Sequence, residues 1–355
     1  MRVLHVMASR ANGGAETYST DMIESLHAIG VTEMAVVPRA SLHHRRLAAA
    51  GVPLAADVLD VPIGMWRRRQ LRQVIEALRP DLVHCWMRRA ASLTPALDVP
   101  VIGWFGGYYE PVHFANCTHF VGVTPDIVAH MVARGVPKAR AHYVPTFPTI
   151  EAGQRLDRAA LGTPAHATVL LALSRLHEKK GLDILLQALA ELPGCVAWLA
   201  GDGPLEAELK ALAAKLGVAE RVRFLGWRTD RGALLRAADI CVLPSRYEPF
   251  GTVMLEAWAT GTPLVAAASQ GPAALIEDGG NGLLVAVDDV AALAGAIGRL
   301  IAEPGLRARL IARGLADYHK GFTRAAVTQR MLALYEQIIA EHGVASVGRV
   351  GSARA

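Results

Sequence analysis

The chain has 355 residues, of which 52% are hydrophobic and 19% charged, with a formal charge of +5. Its length exceeds the roughly 250 to 300 residues at which a single hydrophobic core stops growing, so two domains are expected, and its apolar content excludes an intrinsically disordered chain. No run reaches the ~18 uninterrupted apolar residues of a membrane-spanning helix.

The apolar part of the opening "MRVLHVMASRANGG" is too short and too interrupted for a secretory leader and reads as a first buried strand. Short apolar runs then alternate with helical patterns: "GGAETYSTDMIESLHAIG", "EMAVVPR", "SLHHRRLAAAG", "MWRRRQLRQVIEALRP", "DLVHCWM", "VPVIGWFGG", "CTHFVGVT" and "PDIVAHMVARGVP", ending at "AHYVPTF". That alternation is the mark of βαβ units and a doubly wound parallel sheet. From 148 to 167 the apolar periodicity is lost and Pro, Gly and charges gather, which predicts a linker.

The pattern restarts with "TVLLALS", "GLDILLQALAEL", "CVAWLAG", "PLEAELKALAAKLGV", "RVRFLGW", "TDRGALLRAAD" and "ICVLPS", then "PLVAAAS", "NGLLVAV" and "VAALAGAIGRLIAE". The expected α/β organisation is an N-terminal Rossmann-like domain over 1–150, a second over 165–324, and an amphipathic helix over 325–342 that crosses back to the first. Beyond Gly343 the tail is expected to be disordered. Cys85, Cys117, Cys195 and Cys241 are widely separated, unlike a metal cluster or a disulfide framework, and fit a reducing cytoplasm.

Basic residues cluster in "HHRRL" (43–47), "MWRRRQLRQ" (65–73) and "MRRA" (87–90), all in the first half. Solvated helix faces account for any one of them, but three together suit an anionic partner, either a phosphate-bearing substrate or an anionic membrane surface. Nucleic acid is disfavoured, because aromatic residues are not interleaved with these charges.

Open α/β sheets bind ligands at the carboxyl ends of their strands. Three motifs stand there. "LSRLHEKKG" (173–181) offers Arg175 and Lys180 from a strand-to-helix loop, suited to a diphosphate. "AGDGP" (200–204) contributes Gly203, either for close backbone approach to a ligand or simply for a turn. "SRYEPFGTVMLEAWATG" (245–261) sets Glu248 in a loop and Glu256 on the following helix, with Phe250, Gly251 and Thr252 between them at the helix start. Thr252 and Glu256 are four apart and share a face, and two carboxylates flanking a phosphate-binding helix start can accept from sugar hydroxyls on either side. No G-x-G-x-x-G opens the chain, which removes the main support for a dinucleotide oxidoreductase.

With "NGGAE", "PDLVH", "SRLHEKKG", "AGDGP", "RVRFLGW" and "EPFGTVMLEAWATGTPLVA" in order, nearly the whole chain resembles the family 4 glycosyltransferases, retaining enzymes of the GT-B fold, with two facing Rossmann-like domains and an interdomain cleft. "GGYYEPVHFANCTHFVGVTPDIVAHMVARGVP" is similar to members that build lipopolysaccharide or other envelope glycans. The resemblance implies that Glu248 meets the donor sugar, Glu256 the ribose, and Arg175 and Lys180 the diphosphate, with amides from Gly251 and Thr252. Gly13 and Gly14 would close over phosphate or acceptor with Glu16 nearby, and Trp227 would contact the base. Three positions depart from the family pattern. Gly106 stands where many members carry His, leaving His84 and His113 as candidates for a compensating acceptor-side role; "VPTFPT" replaces Pro-Asn-Gly; and Ala274 stands where Glu is common.

The resemblance further implies front-face transfer of a hexose from a UDP-sugar, rather than a GDP-sugar, to a glycan or lipid-linked acceptor, by an enzyme in the cytoplasm or peripheral on the inner face of its membrane. No cofactor is expected beyond the nucleotide-sugar co-substrate, and with no Asp-x-Asp pair at a strand end, transfer without a metal is expected. The alternatives are a nucleotide-sugar epimerase, a phosphorylase, or a non-catalytic nucleotide-sugar-binding protein of the same architecture.

Overall fold

The computed structural model describes residues 1–55, 58–60, 64–151 and 153–352. The chain divides into two compact units, Met1–Thr146 with Arg324–Ala355, and Phe147–Thr323.

The first unit contains β1 (Arg2–Met7), α1 (Gly14–Ala28), β2 (Thr32–Val36), α2 (Leu42–Ala49), α3 (Gly64–Leu78), β3 (Leu82–Trp86), α4 (Met87–Leu93), β4 (Val101–Phe105), β5 (His119–Gly122), α5 (Pro125–Ala133) and β6 (Ala141–Tyr143). Among the described residues its six strands are parallel, in the order β2-β1-β3-β4-β5-β6. The inner strands are buried along their whole length, because helices cover both faces of such a sheet, and so they read as unbroken apolar runs rather than as alternation.

The second unit runs through β7 (Thr168–Leu173), α6 (Leu182–Ala190), β8 (Cys195–Ala200), α7 (Glu206–Lys215), β9 (Val222–Gly226), α8 (Arg231–Ala237), β10 (Ile240–Leu243), α9 (Thr252–Thr260), β11 (Leu264–Ala267), α10 (Gln270–Leu275), β12 (Leu283–Val285), α11 (Val290–Ala302) and α12 (Pro304–Gly321). Its strand order is β12-β11-β10-β7-β8-β9, again parallel. Both sheets therefore reverse their direction of growth once. The reversal lies between β1 and β3 in the first unit and between β10 and β7 in the second.

A final helix, α13 (Arg324–Ser352), belongs to the first unit. It buries Val327, Met331, Leu334, Tyr335 and Ile338, a stripe at helical spacing. Tyr335 Oη lies 2.5 Å from His84 Nδ1 on β3, and His84 stacks on Trp86 with ring centroids 4.0 Å apart. Tyr18, Trp86 and Trp104 continue this aromatic core.

Two expectations need correction. Residues 148–167 are not a free linker: Arg158 pairs with Asp239 at 2.7 Å and donates to the Ala237 carbonyl, while Trp198 Nε1 donates to Thr163, so charges that read as linker polarity bind this stretch along the second unit. Within it Ala152 lies outside the described residues. The tail expected to be disordered is helical through Ser352; extending a helix that packing has already nucleated costs little per residue. All four cysteines are buried and unbridged. No described helix is long and apolar enough to cross a membrane.

Burial pushes the His84 imidazole well below its usual range, with His5 adding to the effect, and pushes His119 down to about 4, with its neighbours His142 and Arg140 contributing. The unfolded chain takes up these protons near pH 6.5, whereas the folded chain resists them, so the stability they confer is present above pH 6.5 and is lost on acidification. Urea midpoints are therefore expected to fall between pH 6.5 and 5, before most carboxylates titrate. Replacing the stacked pair His119 and His142 with Asn should flatten that slope; an unchanged slope would refute the assignment.

Candidate active site

At the reversal in the second unit, the loop after β7 and the loop after β10 leave the sheet side by side, the position at which open α/β sheets form their ligand crevice. Lys180 Nζ, from the first loop, lies 2.6 Å from Glu248 Oε2, from the second, and both are largely shielded from water. The Glu248 loop is braced on two sides: its carbonyl accepts from the Gly271 amide at 2.7 Å, and the Tyr247 amide donates to the Lys179 carbonyl. The Tyr247 phenol is raised by burial and by the neighbouring Glu248 charge. Arg175 is exposed, and among the described residues its guanidinium makes no ion pair or hydrogen bond.

Gly251 turns the chain into α9 with φ +86, a left-handed conformation, and a Cβ there would stand 3.1 Å from Glu248 Cγ. No side chain caps α9, so its first amides, beginning at Thr252, remain available to an anion. Phe250 is buried beneath the turn.

One turn into α9, Glu256 is buried, its side chain 3% exposed. Arg231, the first residue of α8, places Nη2 2.6 Å from Glu256 Oε2. By distance this is an ion pair; no N–H is aimed along that oxygen, which is left without a hydrogen bond. Burial raises the Glu256 carboxyl, and Arg231 opposes that rise. Burial and the Glu256 charge push the Cys241 thiol on β10 up to about 12.

Gly203 lies against the Leu176 carbonyl, where a Cβ would be 2.2 Å away, so "AGDGP" packs on the Arg175 loop and its glycine serves that approach between backbones. Trp227 follows β9 and is 64% exposed, an unusual setting for an indole. Ala274 lies on α10, exposed, and offers only a methyl group. The adjacent acids Asp288 and Asp289 have structural partners: Asp288 pairs with Arg246, and Asp289 caps α11. A cavity of about 570 Å³ lined in part by Glu178, Asp183, Glu208 and Arg246 lies beside this region and includes none of the predicted residues. Within its wall Arg246 pairs with Asp183.

In the first unit, Gly13 and Gly14 open α1 directly after β1, exposed, and α4, carrying Arg88 and Arg89, follows β3; both lie at that sheet's own reversal. Glu16 is buried and accepts from Ser9 Oγ at 2.6 Å. His113 is exposed on a 3₁₀ turn, Pro111–Phe114.

His84 requires correction as an acceptor-side candidate. It is fully buried and hydrogen-bonded to Tyr335, and presents nothing to a ligand at the surface. At Gly106 a Cβ would stand 2.3 Å from the Trp104 ring, so the volume a side chain there would need is already filled. Sequence reasoning missed Arg231, whose setting "TDRGALLRAAD" reads as an ordinary amphipathic helix, and the buried, unpartnered hydroxyls of Ser245 and Ser269 at the ends of β10 and β11. A cation at a helix start, where the macrodipole disfavours it, was the one available signal for Arg231.

Residues 153–316 match the model of glycosyl transferases group 1, and residues 12–148 that of glycosyltransferase family 4. The lipopolysaccharide core biosynthesis glycosyltransferase LpsE of Rhizobium meliloti is 34% identical over 343 residues, covering 94% of this chain and 98% of the relative. LpsD of the same organism is 31% identical, covering 96% and 100%. Among solved structures, HepE of Anabaena in complex with UDP-glucose superposes with a TM-score of 0.81 at 23% identity, covering 95% of this chain and 100% of the other.

Gly251→Ala is expected to lower the stability of the second unit by about 1 to 2 kcal/mol, the cost of a side chain in left-handed backbone. Gly14→Ala, at an open helix start with nothing within 4 Å, should be neutral or slightly stabilising. Denaturant titration of the two variants distinguishes a constrained glycine from a free one.

Proposed function

The chain belongs to glycosyltransferase family 4, and on that premise we propose that it moves a hexose, with retention of configuration, from a UDP-sugar to an acceptor of lipopolysaccharide core type. The observation that carries this reading is the meeting of Lys180 and Glu248 at 2.6 Å beside the uncapped start of α9. The UDP complex of HepE and the names of LpsE and LpsD support the donor and acceptor classes respectively.

In this reading the second unit takes the donor and the first the acceptor. The diphosphate lies over the α9 amides of Gly251 and Thr252, where the helix end carries partial positive charge. Arg175, exposed and unpaired among the described residues, supplies one full cation and Lys180 the other. An ammonium has three N–H donors, so Lys180 can hold a phosphate oxygen without releasing Glu248. Glu248 then accepts from hydroxyls of the hexose, and Glu256 from those of the ribose. Trp227 stacks on the uracil, and Gly13, Gly14, Glu16 and His113 belong to the acceptor side.

Front-face transfer follows from this charge distribution. The bond from the anomeric carbon to the phosphate oxygen breaks as the sugar becomes oxocarbenium-like. The departing diphosphate takes the proton of the incoming hydroxyl, and the new glycosidic bond forms on the same face. Arg175, Lys180 and the helix amides stabilise the leaving group as its charge grows, which requires no metal from the protein.

A surface of the first unit suits an acceptor embedded in an anionic membrane. Arg68 on α3 donates to the Ser92 carbonyl on α4 at 2.8 Å, and Ser92 Oγ donates to the His113 carbonyl at 3.0 Å, which joins three elements into one face. These elements expose Arg69, Arg72, Arg88 and Arg89 together with Trp66, 53% exposed, and Val112, 74% exposed. Cations with an indole among them favour the headgroup region of a bilayer, at about 1 kcal/mol per cation. In this reading the enzyme works from the cytoplasm, peripheral on the inner membrane face.

Glu248→Ala is expected to cut turnover at least ~100-fold while remaining folded, with a melting midpoint lowered by the unpaired Lys180, and the parental enzyme should keep its rate in excess EDTA. Parental-rate transfer by a folded Glu248→Ala variant would falsify the donor assignment, and an inverted product anomer by NMR would overturn retention. For the membrane face, the triple variant Trp66→Ala/Arg69→Glu/Arg72→Glu should no longer float with phosphatidylglycerol vesicles that carry the parent at low salt. Equal flotation of both proteins would count against this surface.

A further inference from the structure

Glu256 raises a problem that the donor site alone does not solve. A carboxylate removed from water strongly favours its neutral form unless a counter-charge meets it, and a neutral acid has one acceptor oxygen where the ion has two. Two vicinal hydroxyls, both donating, are held more strongly by the ion, since a hydrogen bond to a charged acceptor is roughly twice as strong as a neutral one. Among the described residues, Glu151, Cys241 and Arg231 act on Glu256, and Arg236 lies beside Glu151. Glu151 and the Cys241 thiol bring no positive charge, and Glu151 opposes ionisation. Arg236 turns to the Glu151 carbonyl at 3.1 Å. Among the described residues, Arg231 alone pairs with the carboxylate, at 2.6 Å, from a side chain 37% exposed.

The neighbouring Asp230 would be the natural competitor for Arg231. It is already held in a bidentate pair by Arg228, at 2.8 and 2.6 Å, which leaves Arg231 to Glu256. Oε2 is closed to solvent beneath Arg231, so the ion pair supplies charge from that side and leaves Oε1 to a ligand.

We propose that Arg231 is a positioning residue that keeps Glu256 a carboxylate able to accept from both ribose hydroxyls, and that the site thereby selects ribonucleotides over 2′-deoxyribonucleotides. This rests on the donor-site reading above and adds a residue and a selectivity to it.

The test is calorimetric binding of UDP and 2′-deoxyuridine diphosphate to the parent, Arg231→Met and Arg231→Lys between pH 6 and 9. The parent should prefer UDP by about tenfold or more, as expected for a hydrogen bond to a charged group. At pH 7 Arg231→Met should lose that preference through weakened UDP binding alone. Raising the pH should restore it as Glu256 ionises unaided, and Arg231→Lys should keep it throughout. A structural role for Arg231 predicts instead equal loss of both nucleotides with no recovery at high pH, and that result overturns the proposal, as does an Arg231→Met variant that behaves as the parent. Should Arg231→Met fail to fold, Arg231→Lys decides, since loss of UDP preference in a folded lysine variant also overturns it. A parent that binds neither nucleotide would refute the donor site itself, whereas a parent that binds both equally would refute only the ribose contact and its selectivity.

Discussion

A parallel sheet that reverses its direction of growth leaves two neighbouring strands whose following loops diverge to opposite faces, and whatever those loops carry must be compatible at the point where they part. In the second unit these are the loops after β7 and β10, and they carry Lys180 and Glu248. The ion pair is only partly exposed, so either charge alone would be costly there. The surrounding backbone is correspondingly fixed: Gly251 turns sharply beside Glu248, Gly271 donates to its carbonyl, and the amides of α9 are left uncapped. Under the proposed transfer, stabilising a leaving diphosphate would need such groups in place beforehand, because reorganisation at the moment of bond breaking would forfeit the gain.

The first unit meets a different constraint. Its buried strands carry His5 and His84, polar groups in a sheet covered on both faces. His5 is met by Glu33 at 2.9 Å, and His84 by Tyr335, from a helix more than 250 positions later in sequence. That helix is thus required by the polar content of the sheet as well as by its apolar stripe. The same arrangement ties the start and the end of the chain into one unit.

The alternation of apolar runs and helical patterns revealed both sheets, because buried parallel strands cannot alternate polar and apolar residues. The loops that carry Glu248, Lys180 and Arg175 were legible because they follow strands, and the structure brings Lys180 and Glu248 together there. Arg231 was hidden, since its pairing with Glu256 depends on α8 lying beside α9, a packing relation that periodicity does not encode. His84 shows the opposite error: a titratable residue at a strand end invites a functional reading until its partner is seen. In the stretch 148–167, arginines that suggested solvation instead bond carbonyls and Asp239 of the unit they flank, and in the tail a polar, glycine-containing composition did not prevent a helix already under way.

The indole of Trp104 occupies the space into which a side chain at position 106 would project. Positions 104 and 106 are therefore coupled. Grafting a larger residue at 106 demands that the tryptophan be trimmed first, and emptying that volume leaves a hole beside Tyr18 and Trp86 worth about 3 to 5 kcal/mol of lost packing. Whoever redesigns this end of β4, by selection or by hand, must exchange both residues together.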